Sequence, residues 1–80
     1  MEKEKLQKQI FKYISKIEYN ESINNTCTRL SVFLMQDPKV IRNEITWLEY
    51  EGLVTYIYVQ YKGHSYKTIR VTDRGLRYYG

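Results

Sequence analysis

Alanine is absent from this 80-residue sequence, and cysteine, proline and histidine each occur only once. The single cysteine, Cys27, excludes an intrachain disulfide and is typical of a protein from a reducing compartment. One cysteine and one histidine, His64, cannot supply the four ligands of a structural zinc site within the chain. The four glycines form no phosphate-binding loop, and the carboxylates are scattered along the chain. We therefore expect no metal, no cofactor and no catalytic site.

Long apolar stretches are missing as well. No run approaches the roughly 20 apolar residues that a membrane-spanning helix needs. Residues 1–9 are charged and polar, whereas a secretory signal peptide carries an apolar segment near its N-terminus. The sequence therefore predicts a cytoplasmic protein with no membrane partner.

Tyrosine and positive charge are abundant. Nine tyrosines and a hydrophobic content of 42% are enough for the core of one small domain over residues 1–80. The net charge is +4 and the pI is about 9.2. Residues 39–80 carry seven basic and four acidic side chains, an excess of +3. This bias favours an anionic partner such as DNA, and a basic but merely solvated surface is the alternative.

Apolar residues at helical spacing predict three helices. The first covers residues 3–19, and the turn-favouring residues 20–25 follow it, with Ile23 as a loop anchor or a very short strand. Thr26 or Thr28 caps a second helix that ends at Met35. Its buried face is predicted to contain Leu30, Phe33 and Leu34. Asp37 and Pro38 begin a third helix, residues 38–51, with Ile41, Ile45 and Leu48 inward and Gly52 as its stop.

The C-terminal part alternates in the manner of two strands. Residues 53–60 and 65–72 predict a hairpin with its tip at residues 62–64. On the expected alternation, Tyr56, Tyr58 and Tyr66 share one face. Thr72 is placed to cap a last helical turn that runs through Leu76.

The order of helix, helix, turn, helix and hairpin resembles the winged helix-turn-helix family over residues 5–76. The most specific parts are residues 48–54 and 71–75, which are similar to the end of the recognition helix and of the wing in MarR-like and PadR-like regulators. Small regulators from archaeal viruses share this compact form and a composition rich in Tyr and Ile. The resemblance implies an α+β fold, three helices followed by a two-stranded β-hairpin wing. It also implies a transcriptional regulator that binds specific double-stranded DNA, in the host cell if the protein is viral.

Helix 38–51 is expected to enter the major groove. With the apolar stripe inward, its outward side chains are Lys39, Arg42, Asn43 and Thr46. Arginine can pair with guanine and asparagine with adenine, and a helix N-terminus attracts phosphate. A polar face that only contacts water is the alternative. Trp47 is expected to pack beneath the wing, and Glu44 to point outward or to border the second helix.

Further DNA contacts are expected from the wing and the second helix. Wing residues 60–67 carry Lys62, His64 and Lys67, which would reach the backbone or an adjacent groove. Lysines that only prevent strand pairing at an exposed hairpin are the alternative reading. Arg29 is placed at the beginning of the second helix, where regulators of this fold often contact phosphate.

A two-fold homodimer is expected from two apolar segments. The stripe of the first helix exceeds what one narrow core-facing side requires, and Leu76, Tyr78 and Tyr79 follow the last strand. In the alternative, Phe11 and Tyr13 pack on the third helix and the wing base, which leaves a monomer. The rival function is a winged-helix protein-interaction module whose tyrosine surface binds a partner without DNA.

Overall fold

The computed structural model describes residues 2–17 and 20–80, which form four helices and one antiparallel hairpin. The elements are α1 (Lys3–Ser15), α2 (Ile23–Leu34), α3 (Pro38–Tyr50), β1 (Val54–Tyr61), β2 (His64–Val71) and α4 (Asp73–Tyr79). Three helices precede the two-stranded wing, so the predicted α+β winged helix-turn-helix fold is confirmed. None of these helices is both long and apolar enough to cross a membrane.

The core lies where the first three helices meet the base of the wing. Its fully buried side chains come from every layer: Ile10, Leu30, Ile41, Ile45, Leu48, Leu53, Val54 and Ile69. Burying a side chain of this size stabilises the fold by about 1.5–3 kcal/mol. The three residues predicted to face inward from α3 are all in this group, so the orientation of α3 follows from its own sequence.

Helix α1 ends earlier than its apolar stripe predicts. It stops at Ser15 instead of residue 19, because the amides of Lys16 and Ile17 bond back to the carbonyls of Tyr13 and Ile14. These hydrogen bonds run from residue i to residue i−3, as in a 3₁₀ turn, and they tighten the last turn and end the helix. Residues 18 and 19, the remainder of the predicted helix, lie outside the described residues.

Helix α2 begins earlier than predicted. Ser22 is its N-cap, and the Ser22 hydroxyl accepts a hydrogen bond of 3.2 Å from the amide of Asn25. The expected caps, Thr26 and Thr28, instead donate to backbone carbonyls one turn back. The prediction that residues 24 and 25 belong to a turn is therefore wrong. Pairing of Ser22 with Thr68 of β2 holds the start of α2 against the wing.

The end of α2 differs from the prediction at one residue. Leu30 and Leu34 are buried as predicted, but Phe33 is 72% exposed. Met35 closes the helix in the left-handed conformation, with φ of 54°. Asp37 then caps α3 by accepting a 2.7 Å hydrogen bond from the amide of Lys39, as the sequence predicts.

The wing has a tighter tip than predicted. Lys62 and Gly63 form a two-residue turn with φ of 51° and 80°, and His64 already belongs to β2. Positive φ at both positions is the requirement of a type I′ hairpin turn. Tyr66 pairs with Val59, whereas Tyr58 pairs with Lys67. Tyr66 therefore lies on the opposite face from Tyr58, and the predicted three-tyrosine face is wrong.

Helix α4 is longer than the single turn predicted and packs back on α1. Thr72 caps it as predicted, accepting from the amide of Gly75 and donating to the carbonyl of Gly52 at 2.7 Å. A Cβ atom on Gly75 would lie 2.2 Å from the carbonyl oxygen of Leu53, so only glycine allows this approach. The ring of Tyr79 then reaches that of Phe11, with centroids 4.7 Å apart.

Candidate functional site

The exposed face of α3 brings together four polar side chains. Lys39, Arg42, Asn43 and Thr46 are exposed, and the buried stripe lies on the opposite side of the same helix. The hydroxyl of Thr46 donates to the carbonyl of Arg42 at 2.9 Å. This face therefore presents two cations, an amide and a hydroxyl, which are the groups that hydrogen-bond to base edges and phosphates.

Glu44 lies on the inner side of α3 and does not belong to this face. Its side chain is 9% exposed and accepts a 2.8 Å hydrogen bond from Nε2 of Gln7 on α1. The expectation that Glu44 points outward or borders α2 is therefore wrong. Its burial leaves the exposed face between Lys39 and Thr46 without a carboxylate, so this part of α3 is more positive than the sequence indicates.

The N-terminus of α3 is already capped, so only the side chain of Lys39 is available to an anion there. The Asp37 carboxylate holds the amide of Lys39, and the Asp37 carbonyl accepts from the amides of Val40 and Ile41. An arriving phosphate would meet this carboxylate at the helix end. The exposed ammonium group of Lys39 is thus the cationic group at this end of α3.

Arg42 is held by a residue that the sequence did not single out. Nη2 of Arg42 donates a 2.8 Å hydrogen bond to Oδ1 of Asn24, in the first turn of α2. Cys27 lies nearby and is buried, as expected of a small apolar residue. Burial raises the pKa of the Cys27 thiol, and the positive charge of Arg42 partly offsets this. The guanidinium therefore lies at the junction of α2 and α3.

Tyr56 joins the wing to α3 and was also missed as a member of this site. Burial is the main cause that raises the pKa of its phenol, followed by the charge of Glu49, while Thr46 and Arg42 lower it. Nζ of Lys67 lies 4.4 Å from the centroid of the Tyr56 ring, a cation–π contact. Lys67 is therefore half-buried over this tyrosine, away from the tip of the wing.

Lys62 and His64 flank the tip of the wing and are both exposed. Nζ of Lys62 lies 5.3 Å from the ring centroid of Tyr61, the strand partner of His64. The structure thus groups Lys62 with His64 at the tip, and Lys67 with α3. The three wing residues predicted to act together divide into two places.

Trp47 packs against the core, as expected. It is half-buried on the inner edge of α3 and contacts the buried cluster. It also lines a small cleft with Leu53, Arg74 and Tyr78. Its position excludes it from the exposed face of α3 and fixes that helix against the wing base and α4.

Arg29 lies well inside α2, so its predicted position at the helix start is wrong. The cause is the early start of α2 at Ile23, which makes Arg29 its seventh residue. Its guanidinium is exposed, and Nε lies 3.1 Å from Oε1 of Glu21. The side chain of Glu21 is only 3% exposed, and neither of its oxygens accepts a hydrogen bond from a described residue. Arg29 therefore compensates a buried carboxylate while its outer surface stays in water.

The base of the wing is fastened to the segment that precedes α2. Thr68 donates a 2.6 Å hydrogen bond to the carbonyl of Glu21, and the phenol of Tyr66 donates to the carbonyl of Asn20. Arg70 donates to the side chain of Asn20. These contacts set the wing relative to the start of α2, and therefore relative to Asn24 and the face of α3.

Other cavities lie away from this face. An open groove of about 740 Å³ runs between α1 and the end of α2, lined by Tyr13, Ile17 and Phe33 among others. No cluster of three or more His, Cys, Asp or Glu side chains that could hold a metal ion occurs in residues 2–17 and 20–80. The exposed face of α3 with the wing is therefore the candidate functional site.

No protein-family profile matches this sequence, and no curated protein sequence is similar to it. Solved structures are similar in fold. The smu.1704 protein of Streptococcus mutans UA159 superposes with a TM-score of 0.73 at 15% identity, over 98% of this chain and 72% of that one. The MepR A103V mutant from a multidrug-resistant clinical isolate of S. aureus gives 0.69 at 16% identity, over 92% of this chain.

The alignment spans only 50% of the MepR chain, so this protein corresponds to about half of it. MepR is a MarR-family winged-helix regulator. At 15% and 16% identity the likeness concerns the fold and not the activity. Together with the order of elements and the geometry of α3 and the wing, it shows that this chain has the winged helix-turn-helix fold of such regulators.

Proposed function

We propose that this protein is an intracellular transcriptional regulator that binds specific double-stranded DNA, with α3 in the major groove. The observation that carries the proposal is the exposed face of α3. It holds Lys39, Arg42, Asn43 and Thr46 on the third helix of a winged helix-turn-helix, with the only carboxylate of that stretch buried inward. In this fold class the second helix of the helix-turn-helix unit is the one that reads bases.

The four side chains would divide the work between bases and phosphates. Arg42 has the fork geometry to pair with O6 and N7 of guanine, and Asn43 can pair with N6 and N7 of adenine. Lys39 would contact a phosphate with its side chain. Thr46 lies one turn after Arg42, where its methyl or hydroxyl group can contact a base edge or the backbone.

The wing and α2 would position the protein on the backbone. Lys62 and His64 at the wing tip are placed to reach a phosphate or an adjacent groove. Lys67, held over Tyr56, would contact the backbone next to α3. Arg29 would contact phosphate from the middle of α2, through the exposed part of a guanidinium that is ion-paired on its inner side. Such contacts add affinity without sequence preference.

We also propose that the protein binds as a two-fold homodimer. Leu76 is 50% exposed and Tyr78 is 64% exposed on α4, which supports an interface at this helix. The apolar stripe of α1 offers less surface to such an interface than the sequence implies, because Leu6, Ile10 and Phe11 are buried within their own chain. Two copies of α3 would then read half-sites about 10 base pairs apart on an inverted repeat.

A protein-interaction module without DNA binding is the second candidate function. The specific observation in its favour is an exposed apolar group at the end of α2, where Val32, Phe33 and Met35 are 75%, 72% and 89% exposed. Tyr58 and Tyr61 add exposed aromatic surface on the wing. Apolar side chains grouped in this way are common at protein interfaces. The basic face of α3 has no role in this alternative.

Selection from a randomised duplex library separates the two functions. Several rounds of binding and amplification with the full chain should enrich an inverted repeat, with guanine and adenine at the positions that α3 contacts. Enrichment of no sequence over the starting library would contradict sequence-specific binding. The selection is repeated with a variant that carries Arg42→Ala and Asn43→Ala. If this variant still binds DNA and enriches the same motif, the role of α3 is contradicted.

A further inference from the structure

The contact between Arg42 and Asn24 gives the guanidinium of α3 a fixed direction. Without a partner, an exposed arginine samples many rotamers, and the entropy lost on binding weakens its discrimination between bases. Here Oδ1 of Asn24 accepts from Nη2 at 2.8 Å, across 18 positions of sequence. We propose that Asn24 is a positioning residue that sets the base preference of Arg42. This inference rests on the proposed DNA-binding function.

The backbone that carries this acceptor is itself held in place. Asn24 lies in the first turn of α2, two residues after the Ser22 cap, and its backbone carbonyl accepts a 3.0 Å hydrogen bond from the hydroxyl of Thr28. Ser22 pairs with Thr68 of the wing, which links the start of α2 to β2. The side-chain amide of Asn24 therefore presents its oxygen to Arg42 from a helix start that is bonded to the wing.

The chemistry of the contact leaves Arg42 able to read a base. A guanidinium has five N–H donors, and Asn24 occupies one of those on Nη2. The remaining donors still include a pair that can face O6 and N7 of guanine. A neutral amide also orients the cation without cancelling its charge, which an aspartate or glutamate at the same position would do in part. The contact thus fixes direction and preserves attraction to DNA.

The variants Asn24→Ala, Asn24→Asp and Asn25→Ala separate positioning from affinity. Alanine removes the acceptor, and aspartate keeps an acceptor oxygen but adds a negative charge. Asn25 is the matched control, because it is exposed in the same turn. Its backbone N–H donates to the Ser22 hydroxyl, so replacing its side chain leaves the cap in place. Each variant is titrated by fluorescence anisotropy with three duplexes. The first carries the sequence enriched by selection, the second has the guanine that Arg42 contacts changed to adenine, and the third has a random sequence.

Asn24→Ala should lower the preference for guanine over adenine at that base pair by about fivefold or more. Its affinity for random DNA should stay within about twofold of wild type, since no charge is removed. Asn24→Asp should keep the base preference and weaken binding to every duplex. Asn25→Ala should change neither quantity. In an Arg42→Ala background, Asn24→Ala should have no further effect on the preference.

Three results would overturn the inference. An unchanged base preference in Asn24→Ala would show that Arg42 needs no support, and tighter specific binding would show that Asn24 restrains Arg42 away from DNA. An equal loss of affinity for selected and random duplexes would indicate a general structural effect. Circular dichroism checks that each variant is folded. If the alanine variant unfolds, Asn24→Ser is used for the same comparison. Absence of DNA binding by wild type would reject the proposed function itself, which distinguishes that failure from the others.

Discussion

Arg42, Asn43 and Lys62 are all exposed, but they occupy places suited to different kinds of DNA contact. Arg42 and Asn43 lie on the face of α3 and can pair with base edges, whereas Lys62 lies at the wing tip. Replacing Arg42 or Asn43 with alanine should cost about 1–3 kcal/mol on the preferred site and relax the preference there. Anisotropy titrations against specific and random duplexes measure both effects.

Lys62→Ala should behave differently. It should weaken binding to all sequences to a similar degree and reduce the slope of log affinity against log salt by about one. If instead Arg42→Ala weakened specific and random DNA equally while Lys62→Ala changed the preferred sequence, the assignment of α3 to the major groove would be wrong.

At the same scale, the sequence predicted the four exposed polar side chains of α3 but placed Glu44 wrongly. It also did not single out the residues that contact Arg42 and Lys67. The inward stripe of Ile41, Ile45 and Leu48 fixes the outward face by helical geometry alone. The contacts of Asn24 with Arg42, and of Tyr56 with Lys67, join residues from different elements. No local pattern specifies such contacts, because the first depends on how α2 packs on α3 and the second on the register of the two wing strands.

Among the elements, α3 was predicted closely and α2 poorly. Helix α3 has strong signals at both ends, with Asp37 and Pro38 at its start and Gly52, at φ of 74°, after its end. The start of α2 depends on Ser22, whose capping role competes with the turn preference of the asparagines that follow. The pairing of Ser22 with Thr68 fixes the start of α2, and this contact spans 46 positions of sequence.

Helix α4 gives a test of packing at the element scale. Gly75→Ala should destabilise the fold by about 1–3 kcal/mol or more, because its Cβ would lie 2.2 Å from a backbone oxygen and 2.5 Å from Cε2 of Phe11. Arg77→Ala, on the exposed side of the same helix, is the control and should cost much less. Urea unfolding followed by circular dichroism compares them. Equal midpoints for Gly75→Ala and wild type would contradict the close approach of α4 to Leu53.

The packing of α4 should also make stability depend on alkaline pH. Burial, followed by the charges of Tyr78 and Glu4, raises the pKa of Tyr79 from 10.0 to about 12. The folded state therefore keeps the phenol proton more tightly than the unfolded state does. This stabilisation is complete below pH 10.0 and is lost as the pH rises towards about 12.

Tyr79→Phe is the matched variant for this effect, since it keeps the ring contact with Phe11 and removes the ionisable group. Thermal unfolding of both proteins across pH 9 to 12 should show a smaller decline for the variant, over the interval given by the pKa of Tyr79. The same decline in both proteins would show that Tyr79 is not protected from solvent by α1.

For the whole molecule, the dimer is the prediction with the largest structural consequence. Sedimentation equilibrium of wild type should give the dimer mass, and Leu76→Glu should give a monomer because it places a charge on the exposed side of α4. Deleting residues 76–80 is a poorer variant, since it also removes the contact of Tyr79 with Phe11. A monomer mass without DNA, together with one protein per site on DNA, would contradict the dimer.

The overall fold was accessible from the sequence because the elements follow one another in a regular order with clear breaks. The extension of α4 beyond Leu76, the exposure of Phe33 and the burial of Glu44 were not. Each of these depends on distant parts of the chain: α4 on its contact with Phe11, and Glu44 on the amide of Gln7. The charge of the candidate interface is consequently clearer in the structure than in the sequence.

The salt dependence of DNA binding tests the central claim most directly. Wild-type protein is titrated with a random duplex between about 50 and 200 mM salt, where each phosphate contact contributes about −0.9 to the slope of log affinity against log salt. With Lys39, Lys62, Lys67 and Arg29 near the backbone, the slope should be about −3 or steeper. The charge-reversal variant Lys39→Glu with Lys62→Glu should have a much shallower slope. A flat titration for wild type, or no binding at about micromolar protein, would contradict the DNA-binding function.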